Sequence, residues 1–324
     1  MTAGHLPFPN DPFSWFGVGW ADDFSPGDVK AAHYFDRELV LWRDHAGAMH
    51  VQDAYCPHLG AHLGIGGKVT EENCLQCPFH GWEYGADGAC TNVPYSDRIN
   101  RKARIRTYPV EEKSGIVFVW YHPAGEEPSF TVPEVPEFAD PDFTHYVRRS
   151  WEVKAPLQEM GENSADPAHF RYVHGTDTVP VVDSYEIDGA EWRIFTTQRF
   201  PTPRGVVDAR IDVESFGRGL SITRFKGIID TCLVSWTTPI DARSSHVNFG
   251  FMTRKLDDAH ATSTVSDAFM AEVTKQLTED IPIWENKVHL EVPALAAEDG
   301  PIMEYRKWCA QFYVAPEERE AATA

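Results

Sequence analysis

The sequence has no long apolar run. No segment approaches the roughly 18 apolar residues that a membrane-spanning helix needs, so no membrane span is expected. Cysteine is scarce. The six in 324 residues (Cys56, Cys74, Cys77, Cys90, Cys232 and Cys309) do not form the dense framework of a disulfide scaffold. Positive charge is short as well: 29 Lys and Arg stand against 49 Asp and Glu, for a net charge of −20. Nucleic acid and anionic membranes want clustered basic residues, so neither is an expected partner. The opening "MTAGHLPFPNDPFSW" has no basic region and no apolar region, so no secretory leader is expected. These absences point to a soluble, cytoplasmic protein. In a reducing compartment, cysteines near histidines are metal ligands more often than disulfides.

What is present divides in two. Residues 13–122 read as short β-strands. "YFDRELVLWRD" (34–44) and "GIVFVWYHP" (115–123) are rich in β-branched and aromatic residues, broken by Gly, Pro and Asp. "PAGEEPSFTVPEVPEFADP" (123–141) carries five prolines and several acids and reads as an extended linker. The division is therefore 1–124 and 125–324. In the second unit "EWRIFTTQRF" and "HVNFGFMTR" alternate as strands do, with Val247, Phe249 and Phe251 on one face. Over 265–289 the period turns helical, and Phe269, Met270, Val273, Leu277, Trp284 and Val288 share a stripe. The acidic, alanine-rich end "APEEREAATA" is expected to fray.

Two Cys–His pairs stand out. Cys56 and His58 lie in "CPHLGAHLG", and Cys77 and His80 in "CPFHGW", with 18 residues between His58 and Cys77. Zinc fingers usually pair Cys with Cys and His with His. Here each half brings one thiolate and one imidazole. That suits a two-iron cluster in which one iron takes both cysteines and the other both histidines, the Rieske [2Fe–2S] arrangement. Pro57 and Pro78 stiffen the loops. Gly60, Gly64, Gly66, Gly67 and Gly81 allow tight turns and close backbone approach to the sulfurs. The competing readings are a structural zinc site and a chance surface set. Both loops, both prolines and "HGW" argue against them. Cys74 would displace a histidine from the pattern, so it reads as a loop or core residue. Cys90, Cys232 and Cys309 read as buried and inert, and His62 as a plain loop residue.

A second cluster lies in "ENSADPAHFRYVH" (162–174), with Asn163, Asp166, His169 and His174. Two histidines and a carboxylate make the facial triad of non-haem Fe(II) oxygenases. Asp166 and His169, three apart, share a helix face. His169 and His174, five apart, differ by about 140° on a regular helix. If both bind one metal, a distortion or a π-type turn is expected between them. Alternatively, Asp166 only caps a helix starting at Pro167. For the carboxylate ligand the helix near 280 offers Glu279, Asp280 and Glu285. Asp280 falls among Val273, Leu277 and Trp284, where an unpaired carboxylate is costly. Glu279 falls on the solvent side, Glu285 on the other edge, and Pro282 is expected to kink the helix. Asp280 is the expected ligand.

These motifs resemble the oxygenase component of Rieske non-haem iron oxygenases, over nearly the whole chain. The stretch "QLTEDIPIWENKVHLEVPALAAEDGPIMEYRKWCAQFYV" is similar to bacterial 3-ketosteroid 9α-hydroxylase oxygenase components and to the nearby cholesterol 7-desaturases. The resemblance implies an α+β fold: an N-terminal all-β Rieske domain, then a catalytic domain whose antiparallel sheet is covered by helices. It implies a [2Fe–2S] cluster, a mononuclear Fe(II), O2, and electrons from an NAD(P)H-dependent reductase or ferredoxin. The implied reaction is hydroxylation of a hydrophobic polycyclic, steroid-like substrate. Desaturation, O-demethylation and aromatic-ring dihydroxylation are the alternatives. It implies a ring-shaped homotrimer, in which electrons pass from one subunit's cluster to the next subunit's iron. Asp166 matches the bridging aspartate and Asn163 a position beside the iron. An electron-carrying ferredoxin would not need residues 162–174, and a zinc-stabilised binding module would hold no sulfide. Phe195, Trp236, Phe249 and Phe251 are candidate pocket residues, against the alternative of plain core. The basic run "RINRKARIR" (98–106) is either a docking face for an acidic electron donor or the outward face of a strand.

Overall fold

The computed structural model describes residues 11–202, 205–227 and 229–314. Residues 1–10 and the acidic end lie outside them. Turn formers punctuate the N-terminal half, and its strands are accordingly short. In chain order they are β1 (Ser14–Trp20), β2 (Val29–Tyr34), β3 (Arg37–Arg43), β4 (Met49–Asp53), β5 (Lys68–Val69), β6 (Leu75–Gln76), β7 (Glu83–Tyr84), β8 (Cys90–Asn92), β9 (Thr107–Tyr108), β10 (Val110–Lys113) and β11 (Ile116–Tyr121). They form three sheets, ordered β1-β11-β10, β2-β3-β4-β9 and β5-β6-β7-β8. The last is made of two- and three-residue strands; the first Cys–His loop leads into it from β4, and the second joins its β6 and β7.

The stretch 34–44 is not one strand. Phe35 and Asp36 take φ of 59° and 57°, a tight hairpin turn between β2 and β3. Left-handed φ is unfavourable for a bulky residue. The second domain supports the turn: Phe35 N donates to Pro239 O (2.9 Å) and Asp36 N to Ile240 O (2.8 Å). Phe35 also stacks on Tyr121, with ring centroids 4.1 Å apart.

The proline-rich stretch 123–141 is extended, apart from the one-turn helix α1 (Pro136–Ala139), but it is not a free linker. Trp15 Nε1 donates to Phe130 O and Trp120 Nε1 to Glu126 O. Val132 and Val135 are buried, and Arg224 pairs with Glu137. The stretch is a strap fastened across both halves.

The second half is one antiparallel sheet of seven strands. They are β12 (Val147–Val153), β13 (Val181–Asp188), β14 (Glu191–Thr202), β15 (Gly205–Phe216), β16 (Leu220–Lys226), β17 (Thr231–Pro239) and β18 (Ser245–Thr253), ordered β12-β18-β17-β16-β15-β14-β13. Helices α2 (Leu157–Gly161), α3 (His169–Tyr172), α4 (Ala259–Trp284) and α5 (Ile302–Ala310) accompany it. The α+β expectation holds. No helix among the described residues is long and apolar enough to cross a membrane. The long helix is displaced from 265–289. Asp258 caps its start by accepting from His260 N at 2.8 Å, and it ends at Trp284. Val288 therefore lies beyond the helix and is 52% exposed. The added first turns, "AHATST", have no apolar stripe for periodicity to detect.

The other face of the sheet packs on the N-terminal half. Trp236 of β17 meets Trp20 edge-on, with centroids 4.5 Å apart, and a Cβ on Gly17 would fall 2.5 Å from the Trp236 ring. Replacing this fully buried ring leaves a cavity between the domains. Trp236→Ala should lower stability by about 3–5 kcal/mol, read as a fall in the thermal midpoint.

Candidate metal centres

The two Cys–His loops share one design. Gly60 N donates to Cys56 O (2.9 Å), and Gly81 N to Cys77 O (3.1 Å). Both glycines have positive φ, 75° and 70°, which only glycine adopts readily. Each turn returns the chain to its cysteine and holds a histidine at the tip. Cys56 and Cys77 are buried side by side, and the His58 and His80 rings lie 4.6 Å apart. Burial pushes the Cys77 thiol pKa up, and the neighbouring Cys56 adds to the shift. The Nδ1 atoms of His58 and His80 are both buried without a hydrogen-bond partner. Buried nitrogens are rarely left so. Two thiols and two orphaned imidazole nitrogens at one place fit a Rieske cluster. Around them the Tyr84 hydroxyl sits 3.0 Å from Cys56 Sγ. Trp82 stacks on His58, centroids 4.4 Å apart and 7° from parallel.

The remaining cysteines stay out of this group. All six are free, and Cys74 is partly exposed, accepting from Thr91 Oγ1. His62 is engaged within its own loop and by β3: its Nδ1 accepts from Gly64 N and its Nε2 faces Glu38. The run 98–106 is turn and loop with one isolated bridge, not a strand. Arg104 is engaged by Asp87 and Arg106 lies over Tyr108, while Arg98, Arg101 and Lys102 are exposed.

The second cluster assembles from three segments. Helix α3 lasts one turn, and His174 follows after its end, next to Gly175 at φ 71°. The expected distortion between the histidines is thus a helix stop, not a π-turn. Donor atoms of His169, His174 and Asp280 all lie within 4.8 Å of one another. Asp280 is 8% exposed, and its Oδ2 is 3.4 Å from His174 Nε2. His169 donates from Nδ1 to Asp166 O, which leaves Nε2 toward the group. Burial holds the His169 pKa below its ordinary value, favouring the neutral, ligating form. Burial also opposes charge on His174, but Asp280 and Glu279 outweigh it and raise that pKa. Two imidazoles and a carboxylate with an open side suit Fe(II).

Glu279 does not point to solvent as the helix angle implied. His174 Nδ1 donates to Glu279 Oε2 at 3.1 Å, and the side chain is 32% exposed. The angle locates Cβ, and a glutamate reaches well beyond it. Glu285 turns aside and accepts from Lys154 N. Asp166 does cap locally, since its Oδ1 accepts from Ala168 N at 2.9 Å. Its Oδ2 remains 3.9 Å from His169 Nδ1. Asn163 Oδ1 accepts from Trp284 Nε1 at 3.1 Å.

A cavity of about 270 Å³ lies between the sheet and α4, with His169, His174 and Asp280 in its wall. Ile194, Val213, Leu233, Val247 and Phe249 give it an apolar lining. Of the four aromatics considered, Phe249 alone is in that lining. Trp236 faces the other domain, and Phe251 packs against Phe269 of α4.

Sequence reasoning missed the charged scaffold behind the cluster. Arg306 Nε and Nη2 hold Glu162 at 2.8 and 2.9 Å, and Gln158 Nε2 donates to the same carboxylate. Lys287 Nζ is 2.6 Å from Glu159 Oε2, and His289 pairs with the other oxygen. The group Glu159, Glu162 and His289 brings donor atoms as close as a metal site does. Here a lysine and an arginine already supply the positive charge.

Comparison with known proteins agrees with this arrangement. Residues 14–109 match the Rieske [2Fe-2S] domain, and residues 119–313 match the 3-Ketosteroid 9alpha-hydroxylase C-terminal domain. The chain is 31% identical to cholesterol 7-desaturase of Xenopus laevis, over 96% of this chain and 73% of that protein. It is 30% identical to a 3-ketosteroid-9-alpha-monooxygenase oxygenase component of Rhodococcus rhodochrous, over 94% of this chain and 80% of that one. A crystal structure of dicamba monooxygenase superposes with a TM-score of 0.76 at 19% identity, covering 96% and 98% of the two chains. That last likeness concerns the fold. The two domains define a Rieske-type oxygenase. The chain belongs to the 3-ketosteroid 9alpha-hydroxylase family of such oxygenase components. It is an oxidoreductase whose cofactors are a [2Fe–2S] cluster and a mononuclear iron. As an oxygenase component it draws electrons from a separate reductase or ferredoxin and consumes O2.

Gly161, beside Asn163, shows how closely the scaffold is packed. Its φ of −64° suits any residue, yet an added Cβ would lie 2.5 Å from Tyr305 Oη. Gly161→Ala should therefore destabilise by about 1–3 kcal/mol through overpacking, despite the better helix propensity of alanine. Equilibrium denaturation measures this.

Proposed function

We propose that this chain is the terminal oxygenase that hydroxylates a hydrophobic polycyclic, steroid-like substrate. Cys56, His58, Cys77 and His80 hold the cluster, and His169, His174 and Asp280 hold the iron. When bound, the cluster supplies single electrons and the iron supplies the point at which O2 is activated. The observation that carries the reading is the convergence of His169, His174 and Asp280 on the wall of an apolar cavity. The chain's own residues do the rest. Glu279 fixes the ring of His174, and the Asp166 carbonyl fixes that of His169, the usual support for ligand histidines. The apolar lining excludes water and takes the ring system. We take residues 1–124 as the Rieske unit and 125–324 as the catalytic unit, a division supported by the two family matches.

Desaturation is the second reading, because the cholesterol 7-desaturase is as similar as the monooxygenase. Turnover of a steroid panel with a compatible reductase tests both: an added oxygen supports the first, loss of two hydrogens the second. No turnover of any steroid overturns the substrate class.

The assembly is a head-to-tail homotrimer in this reading. Leu59, Ile65 and Phe79 are exposed at the cluster loops, and Tyr172 and Val181 near the second centre. Such apolar surface at two different places suits a heterologous interface that closes into a ring. Asp166 is the link between one copy's iron ligands and the next copy's cluster, and Asn163 lies beside the iron. Arg98, Arg101 and Lys102 form the docking face for an acidic donor. Six free cysteines are in keeping with the cytoplasm.

The ligand and bridge assignments can be separated by mutation. Asp280→Ala should drop the iron content from three per chain to two and keep the cluster spectrum, whereas Glu279→Gln should weaken iron binding by about 10–100-fold. Full iron occupancy in Asp280→Ala would refute the ligand. Asp166→Ala should keep both metal centres and lose most turnover. Normal, coupled activity in that variant would remove the bridge.

A further inference from the structure

Six hydroxyl side chains of the sheet line the cavity: Thr196, Ser215, Ser221, Thr223, Ser235 and Thr237. Four are already engaged. Thr196 Oγ1 donates to Ile211 O at 3.0 Å, and the three serines bond one another and strand carbonyls. The hydroxyls of Thr223 and Thr237 have no hydrogen-bond partner among the described residues. Neither is sealed, for both residues are partly exposed. Their strand neighbours Ile222, Trp236 and Thr238 are buried on the opposite face, against the N-terminal half. Alternation along a strand therefore turns Thr223 and Thr237 to the cavity.

Register sets the distance between them. Thr223 stands opposite Leu233 and Ser221 opposite Ser235, and Thr237 N donates to Gly219 O at 3.0 Å. Thr237 is thus four residues along the sheet from Thr223, about 13 Å at the usual rise of a strand. The satisfied serines lie midway. Apolar side chains flank each end, Val213 and Leu233 beside Thr223 and Val247 beside Thr237. A hydroxyl in an apolar wall is costly once a ring system displaces its water and offers nothing to bond. A ligand oxygen at the same point restores the bond. We propose that Thr223 and Thr237 are specificity residues for the two ends of the substrate, each meeting a ketone or hydroxyl oxygen. The preferred substrate is then a rigid fused-ring frame with an oxygen near each end. A sterol that ends in an alkyl chain leaves one of the two hydroxyls unpaired. This rests on the reading of the cavity as the site for a steroid-like ring system. Two anchors on one rigid frame also fix which carbon faces His169, His174 and Asp280.

The test titrates the wild-type holoenzyme by calorimetry with three four-ring steroids: one with a ketone at each end and the two corresponding monoketones. The diketone should bind about 3–10-fold more tightly than either monoketone, as one added neutral hydrogen bond requires. T223V should erase the advantage of one ketone and T237V that of the other, while T223S and T237S keep both. Cluster absorption and circular dichroism report whether each variant folds. Equal affinity of all three ligands for the wild type overturns the two anchors alone, and needs no variant. Equal weakening of all three in a folded valine variant also overturns them, as a structural role would produce, and so does loss of the same ketone's advantage in both variants. No binding of any of the three overturns the steroid reading, and the anchors with it.

Discussion

The buried ion pair between Glu162 and Arg306 is what the second centre depends on. Residues 157–174 carry both candidate histidines and the polar groups around them, yet they contain only short helical pieces. Helices of one turn do not hold themselves together in water. The segment is held from behind. Arg306 of α5 grips Glu162, Lys287 and His289 grip Glu159, and Gln158 joins this set to Arg218. Breaking such a buried pair strands a charge, which makes the arrangement all-or-none. The donor geometry facing the cavity is thereby set by charges that never touch it.

The first centre solves the same problem by other means. Its two loops are short enough to be fixed by backbone alone. Each closes by a bond from a left-handed glycine to a cysteine carbonyl. Stacked Trp82 and the Tyr84 hydroxyl then complete the surroundings. No long-range ion pair is needed, because one loop leads into β5 and the other joins β6 to β7, neighbouring strands of one small sheet.

This contrast explains what was legible in the sequence. Cys56, His58, Cys77 and His80 lie in two short runs, so spacing alone brought them out. His169 and His174 were legible for the same reason, and the gap of five called for a break in regular helix, which takes the form of a stop at Tyr172. Asp280 was legible because a carboxylate on an apolar stripe needs a reason. Glu279 was not, because its reach, and not its face, takes it to His174. Arg306 and Arg218 were not, because their partners lie 144 and 60 residues away with no spacing to mark them. Alternation showed that Phe195 and Phe249 lie on strands. It did not show which face of the sheet meets the cavity and which meets the other domain.

Register across the sheet adds one more element. Ser215, Ser221 and Ser235 are direct neighbours on β15, β16 and β17, and all three line the cavity. Their hydroxyls are turned on each other and on strand carbonyls. Ser215 Oγ lies 3.3 Å from Ser221 Oγ, Ser221 Oγ donates to Glu214 O, and Ser235 Oγ to Ser221 O. A hydroxyl already satisfied by the backbone asks little of a ligand. The row therefore acts through size: three small side chains stand side by side among the larger Ile194, Val213 and Leu233 that line the same cavity.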